Sequence, residues 1–309
     1  MAITYDKKRN DITFCTMLFE LPNASDFSAL KRNDRKFENF YLPSLKQLIE
    51  TFGRVALWCD QKTADYITAN GLAESVNMRI MDFSELPHFP EHSQWLSTLH
   101  DMQRYHGNLL HKKTPEQWIN YMILINAKPT VMDWAASENK FNTKYFMWLD
   151  AGSFNPMYKF MWDKWDGTIE SYPESRVRIT IQKTMGKRRP RFTPGFIYKL
   201  YKYIRGPIAD ATRDTLIKQD LISIATINAD YDVPACSMMM TGEMTHRFHT
   251  TYERTRLMLK RHNLVTTEQA VFQAMMKFDT ERMFELSYID GYRGVYHGVA
   301  KPTPDHTLE

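Results

Sequence analysis

The chain is short of cysteine, of long apolar runs and of net charge, and each shortage excludes something. Its three cysteines, Cys15, Cys59 and Cys236, lie far apart, are odd in number and form no C-x-x-C. Each sits in an apolar run, so they read as reduced, buried thiols in a reducing compartment. No run of about 18 apolar residues occurs, which removes a membrane-spanning helix. The opening stretch MAITYDKKRND lacks an apolar signal core. A cytoplasmic protein is expected, at most peripheral to the inner face of the membrane. The net charge of +4 is too mild to argue for nucleic acid by itself. Three motifs are missing as well: G-x-G-x-x-G, G-x-x-x-x-G-K-[ST] and G-x-S-x-G. Dinucleotide, P-loop and serine-hydrolase readings lose their main support with them.

What remains is the composition of a globular protein. The chain has 309 residues, 43% hydrophobic and 25% charged, with 7 Trp, 16 Tyr and 18 Phe. A sizeable core is expected and disorder is not. The 19 methionines read as core gap-fillers. Leu308-Glu309 reads as the remnant of a purification tag.

Along the chain, apolar β-rich runs alternate with helical spacing. DITFCTMLFEL (11–21) predicts a first strand, and 34–52 a helix with Phe37, Phe40, Tyr41, Leu45, Leu48, Ile49 and Phe52 on its apolar positions. RVALWCD (54–60) predicts a second strand, TADYITANG a short helix, and NMRIMDF (77–83) a third strand. Thr114, Pro115 and Gln117 predict the start of a helix that Pro129 kinks or splits. A strand over 144–150 follows. This β-α-β-α-β-α-β order predicts an α/β fold with a largely parallel sheet flanked by helices. Beyond it, a short helix near 158–165, a strand at 175–182, helices at 196–206 and 209–228, a strand within 233–243, and helices near 244–261 and 266–277 are expected. No repeat or linker appears, so one compact domain is the economical reading.

Two strands end on acids, Asp60 and Asp150. In open parallel sheets ligands bind outside the carboxyl ends of the strands. Asp150 is followed by Ala151-Gly152, small residues that let a phosphate or metal approach. Hard cations such as Mg²⁺ or Mn²⁺ suit such oxygen ligands. The plainer reading is that Asp150 caps its turn through an Asx hydrogen bond.

The stretches CTMLFE (15–20), FENFYLPSLKQL (37–48), INAKPTVM (125–132) and FMWLDAG (146–152) resemble the HtrL/YibB/WlaTC family of bacterial surface-polysaccharide proteins. The resemblance runs from about residue 12 to about 300 and is strongest around WLDAG. It implies a single GT-A-like domain, with a Rossmann-like nucleotide-sugar half (1–160) and an acceptor half (161–307). It further implies a glycosyltransferase that uses a nucleoside-diphosphate sugar, a glycan or glycolipid acceptor, and Mn²⁺ or Mg²⁺. GT-A enzymes carry Asp-x-Asp where this chain has Asp150-Ala151-Gly152, so the second acid is absent. By the same resemblance Asp150 and His297 would hold the metal. Phe19, Glu20, Asp60, Lys128 and Gly152 would contact the donor, Gly242 would belong to the ligand-binding segment on the acceptor side, and Glu268 or Glu243 would serve the acceptor. Gln269 stands where an inverting enzyme places an acid. The alternative for Lys128 is a surface lysine at a helix kink. The alternative for the whole chain is a non-catalytic nucleotide-sugar or glycan binder.

Two further groupings stand apart from this site. His246-x-x-His249 with Glu243 and Glu253 nearby has zinc-ligand residue types, but without H-E-x-x-H it reads first as a solvated helix face. The segment 187–205 interleaves Lys187, Arg188, Arg189, Arg191, Lys199, Lys202 and Arg205 with aromatics. It reads as a solvated surface, as a contact for an anionic acceptor or membrane, and last as a nucleic-acid surface. No nucleic acid is expected.

Overall fold

The computed structural model describes residues 11–21, 37–98, 115–154, 175–183, 231–232, 237–261, 267–277 and 283–289. Among them eight strands form one mixed, mostly parallel sheet. They are β1 (Ile12–Leu18), β2 (Val55–Cys59), β3 (Val76–Ile80), β4 (Tyr145–Leu149), β5 (Val177–Lys183), β6 (Tyr231–Asp232), β7 (Ser237–Thr241) and β8 (Phe284–Ile289). The order is β3-β2-β1-β4-β7-β5-β6, with β8 paired to β5. β1, β2, β3 and β4 are mutually parallel, and β8 runs parallel to β5. β7 is antiparallel to both β4 and β5, and β6 to β5.

β1, β2, β4 and β7 are buried along their whole length. Strands covered by helices on both faces read as near-continuous apolar runs: β2 and β4 are wholly apolar, and β1 and β7 admit only the buried hydroxyls of Thr13, Thr16, Ser237 and Thr241. On one face lie the helices Leu42–Phe52 and Gln61–Ala69, with Leu45, Leu48, Ile49 and Ile67 packed on Phe14, Leu57 and Met147. On the other lie the helices Pro115–Asn126, Lys128–Glu138, Gly242–Arg261 and Glu268–Lys277, whose side chains pack on Cys15, Trp58, Phe146 and Trp148.

Local chemistry sets the boundaries. Pro43 opens the helix Leu42–Phe52, and Gly53 at φ 68° closes it, donating its N–H to Ile49 O. Asp60 caps Gln61–Ala69 by accepting from Thr63 N at 2.8 Å. Pro129 does split its helix: one stretch ends at Asn126, and the next begins at Lys128 with the proline in its first turn. Five residues ahead of Leu42, Phe37–Tyr41, form a π-helical turn rather than regular α-helix. β6 and β8 were not foreseen from the sequence. The expected helices near 158–165, 196–206 and 209–228 lie outside the described residues.

Cys15 and Cys59 are buried free thiols on neighbouring strands. Burial pushes the Cys59 thiol up to about 12, with the adjacent Asp60 adding to it. Burial pushes Cys15 up as well. Neither is a nucleophile at neutral pH. Cys236 lies outside the described residues.

A partly buried ionic cluster pins Gly242–Arg261 to the segment carrying His88 and Glu91. Arg256 donates to Glu253 Oε2 at 2.8 and 2.9 Å, and to both oxygens of Glu91 at 3.1 and 3.2 Å. His88 lies 3.3 Å from Asn126 O and 3.4 Å from Glu253 Oε1, and stacks on Trp95. Burial, and then the Arg256 charge, push His88 down to about 4. An unfolded imidazole takes up its proton near 6.5. Stability is therefore full above about pH 6.5 and drains away as pH falls toward the folded value, by on the order of 3 kcal/mol from this residue. Urea unfolding midpoints should drop between about pH 7 and pH 4.5, and His88→Leu should flatten that drop. An unchanged slope in the variant would reject the assignment.

Candidate functional site

The sheet reverses its winding between β1 and β4. From β1 the chain proceeds to β2 and β3 on one side, through helices on one face. It then reaches β4 on the other side of β1, through the helices Pro115–Asn126 and Lys128–Glu138 on the opposite face. At such a switch point the two connections part and leave a crevice outside the carboxyl ends of the strands. Asp150 is the first residue after β4 and stands at this place.

The Asp150 side chain is 41% exposed. Its Oδ1 accepts from the Trp148 indole N–H at 2.8 Å and from the Lys128 ammonium at 3.0 Å. Lys128 also donates to Glu268 Oε1 at 2.9 Å. The side chain of Asp150 therefore does not cap its turn; that turn closes through the backbone, Ser153 N to Asp150 O. Lys128 and Glu268 are both buried, so Lys128 is no surface lysine. Each stands at the start of its helix, and those two helix starts converge on the end of β4.

The electrostatics follow from the charge count. Burial alone would lower the Lys128 pKa, but Asp150 and Glu268 more than reverse it and hold the ammonium charged. Burial raises Glu268, while Lys128 acts against the rise. One ammonium faces two carboxylates, so full ionisation leaves a surplus negative charge. Tyr121, on the helix before Lys128, feels Glu268, Lys128 and Asp150, and burial first of all raises its phenol. Trp148 and Tyr121 were missed in the sequence. Tyr121 lies on the helix that ends at Asn126 and Lys128 opens the next one, so no continuous helical spacing joins them and the sequence carried no signal for the pairing.

For a hard divalent cation the described residues of this site offer one carboxylate oxygen. Oδ2 of Asp150 has no partner among the described residues, and it belongs to a half-exposed side chain beside surplus negative charge. Among the described residues no group of three or more His, Cys, Asp or Glu gathers as a metal cage. His297, the second expected ligand, lies outside the described residues, as does the basic segment 187–205.

Other expected site residues have different placements. Phe19 is buried, packed edge-on to Phe83 in the core. Asp60 spends both oxygens at home, one on Thr63 N and one on Glu20 N at 2.6 Å, locking the exit of β1 to a helix start. Glu20 is exposed and paired with Lys62, which also meets Glu38 at 2.6 Å. Gly152 borders the site; a Cβ there would stand 3.2 Å from the Tyr41 ring, a tight contact that the ring would have to ease by a small shift. Gly242 and Glu243 are separated from Asp150. Gly242 N bonds Lys144 O, at the amino end of β4. Asp150 is beyond the carboxyl end, roughly 20 Å further along at about 3.3 Å per residue. At Gly242 the missing Cβ makes room for Phe146, 3.1 Å away. His246 and His249 share Asp133 Oδ2 at 3.4 and 3.0 Å, and His249 also meets Thr130. They tie two helices together.

The model of the HtrL_YibB family, described as a bacterial protein of unknown function, matches residues 29–218, more than half of the chain. The chain belongs to the HtrL/YibB family. The match includes Asp60, Lys128, Asp150 and Gly152 but stops short of Glu268. A search of curated proteins finds no match. Two solved structures show a distant similarity to this chain. One is core-mannan synthase A of Aspergillus fumigatus in its Mn/GDP form, at 8% identity, covering 90% of this chain and 73% of that one, with a TM-score of 0.40. The other is mouse xyloside xylosyltransferase 1 in its apo form, at 13% identity, covering 89% and 84%, with a TM-score of 0.34. Both superpositions are loose. Among the described residues no helix is long and apolar enough to cross a membrane.

Proposed function

We propose that this HtrL/YibB member is a glycosyltransferase that moves a sugar from a nucleoside-diphosphate sugar to a hydroxyl of a glycan or glycolipid acceptor. The observation that carries this reading is the Asp150–Lys128–Glu268 cluster at the β1/β4 switch point. The parallel order 3-2-1-4 is a nucleotide-binding arrangement, and the crevice beside β4 is where its ligand belongs. The step from nucleotide to sugar nucleotide rests on the resemblance to GT-A enzymes, which is analogy at the level of fold.

Asp150 would hold Mn²⁺ or Mg²⁺ through Oδ2. When bound, that ion neutralises charge growing on the departing diphosphate. The protein's own groups do the rest. Lys128, held protonated, keeps a fixed positive charge under Asp150 and cannot serve as an amine nucleophile. Glu268, whose pKa burial raises, would be the carboxylate that takes up the proton of an acceptor hydroxyl. Glu243 drops from this role because it stands at the far end of β4. Ala151 and Gly152, in place of a second acid, favour one second reading: a protein that holds sugar nucleotides without turning them over.

A thermal-shift panel of nucleoside diphosphates, with and without Mn²⁺, tests the core of the proposal. A ligand at about a hundred times its dissociation constant stabilises by roughly 2.7 kcal/mol. One nucleotide should raise the melting temperature, and only with the metal present. A panel in which no nucleotide does so would remove the donor site.

A further inference from the structure

Asp150 matters only if its open oxygen points into the crevice, and a carboxylate on a strand end has two torsions free to turn it away. Two donors meet at the other oxygen. One is the Lys128 ammonium, which is shared with Glu268 and sits on a flexible stem. The other is the Trp148 indole N–H at 2.8 Å, on a rigid ring. Trp148 and Asp150 are two positions apart and so lie on the same side of the sheet. The Trp148 backbone is paired on both sides, to Cys15 of β1 and to Met238 of β7. Its side chain is 1% exposed. The Lys128 ammonium lies 5.5 Å from the centre of the same ring, within reach of its negative face. The indole thus touches both partners of the ion pair.

Packing alone does not require this bond. Trp58, on β2 and also facing that core, buries its indole N–H with no partner among the described residues. The fold tolerates an idle N–H there, yet at Trp148 the N–H is committed to the one half-exposed acid of the site.

Resting on the Asp150 reading above, we infer that Trp148 is a positioning residue. Its N–H and ring fix Asp150 Oδ1 and Lys128 so that Asp150 Oδ2 stays turned toward a cation on a diphosphate. Such outer partners typically carry about 10- to 100-fold in metal affinity.

The test uses the full chain, with Mn²⁺ and inorganic pyrophosphate as the probe, and reads bound Mn²⁺ by its electron paramagnetic resonance signal. Trp148→Phe keeps a ring and loses the N–H. Replacing Trp148 with β-(3-benzothienyl)alanine exchanges the N–H for sulfur at nearly constant shape, and decides the matter if Trp148→Phe folds poorly. Both replacements should weaken Mn²⁺–pyrophosphate binding about tenfold, and Asp150→Asn should weaken it more. If the benzothienyl protein binds within about twofold of wild type while Asp150→Asn loses binding, the Trp148 role is overturned and the Asp150 reading stands. If Asp150→Asn binds like wild type, or wild type takes up no probe, the Asp150 reading falls and takes this inference with it.

Discussion

Asp150→Asn is expected to cut Mn²⁺-dependent release of nucleotide from the matching nucleoside-diphosphate sugar by about 100-fold or more, a barrier change of roughly 3 kcal/mol. The substitution keeps the shape of the side chain. Its amide oxygen can still accept from Trp148 and Lys128, the two donors that reach Oδ1. What disappears is the charge of the half-exposed side chain. The fold should survive, because Lys128 and Glu268 then remain as a balanced one-to-one pair. A melting temperature close to wild type, together with lost turnover, would separate chemistry from stability. Equal turnover in the two proteins would end the case for Asp150. Turnover absent from wild type, with nucleotide binding intact, would favour the binding protein over the enzyme.

The largest stability effect should come from Lys128→Met. Methionine fills most of the lysine's volume but leaves Glu268 buried with no ammonium beside it. Breaking a buried pair from one side typically costs about 3–5 kcal/mol. The cost should also depend on pH in a definite sense. Without Lys128, the main force that lowers Glu268 is gone, and burial, with the Asp150 charge, raises its pKa against a backbone hydrogen bond alone. A carboxyl whose folded pKa lies above its unfolded one binds its proton more tightly when folded. Stability is then greatest below the unfolded value, near 4.3, and falls as pH rises through the folded one. Urea titrations of the variant and wild type at about pH 5 and pH 8 should show the gap widening toward pH 8. A gap that narrows toward pH 8 would mean that Glu268 is not the group left exposed to burial.

Much of the fold could be read in advance because its signals are local. Val55–Cys59 and Tyr145–Leu149 are apolar runs that only a doubly covered strand needs, and both were placed within one residue of their observed ends, while the expected first strand ran on to residue 21, past its end at Leu18. Gly53, Asp60 and Pro129 fixed helix ends through their own backbone or side-chain chemistry. β8 escaped notice because its partner β5 is more than a hundred residues earlier, and pairing at that range leaves no local mark. The site divided in the same way. Asp150 was legible because a strand ended on it. Phe19 and Asp60 also follow strands, yet one went to the core and the other to a helix cap, since a strand end does not say which way its side chain turns.

Composition and periodicity therefore determined that this chain is α/β, parallel in its first half, with an acid at the end of a central strand. Only the tertiary structure decided that Lys128 is buried between Asp150 and Glu268, residues 22 and 140 positions away in sequence. It also decided that Glu243 is nowhere near them. The reason is physical: a side chain's charge state and reach depend on which distant elements exclude water around it, and no stretch of sequence carries that by itself.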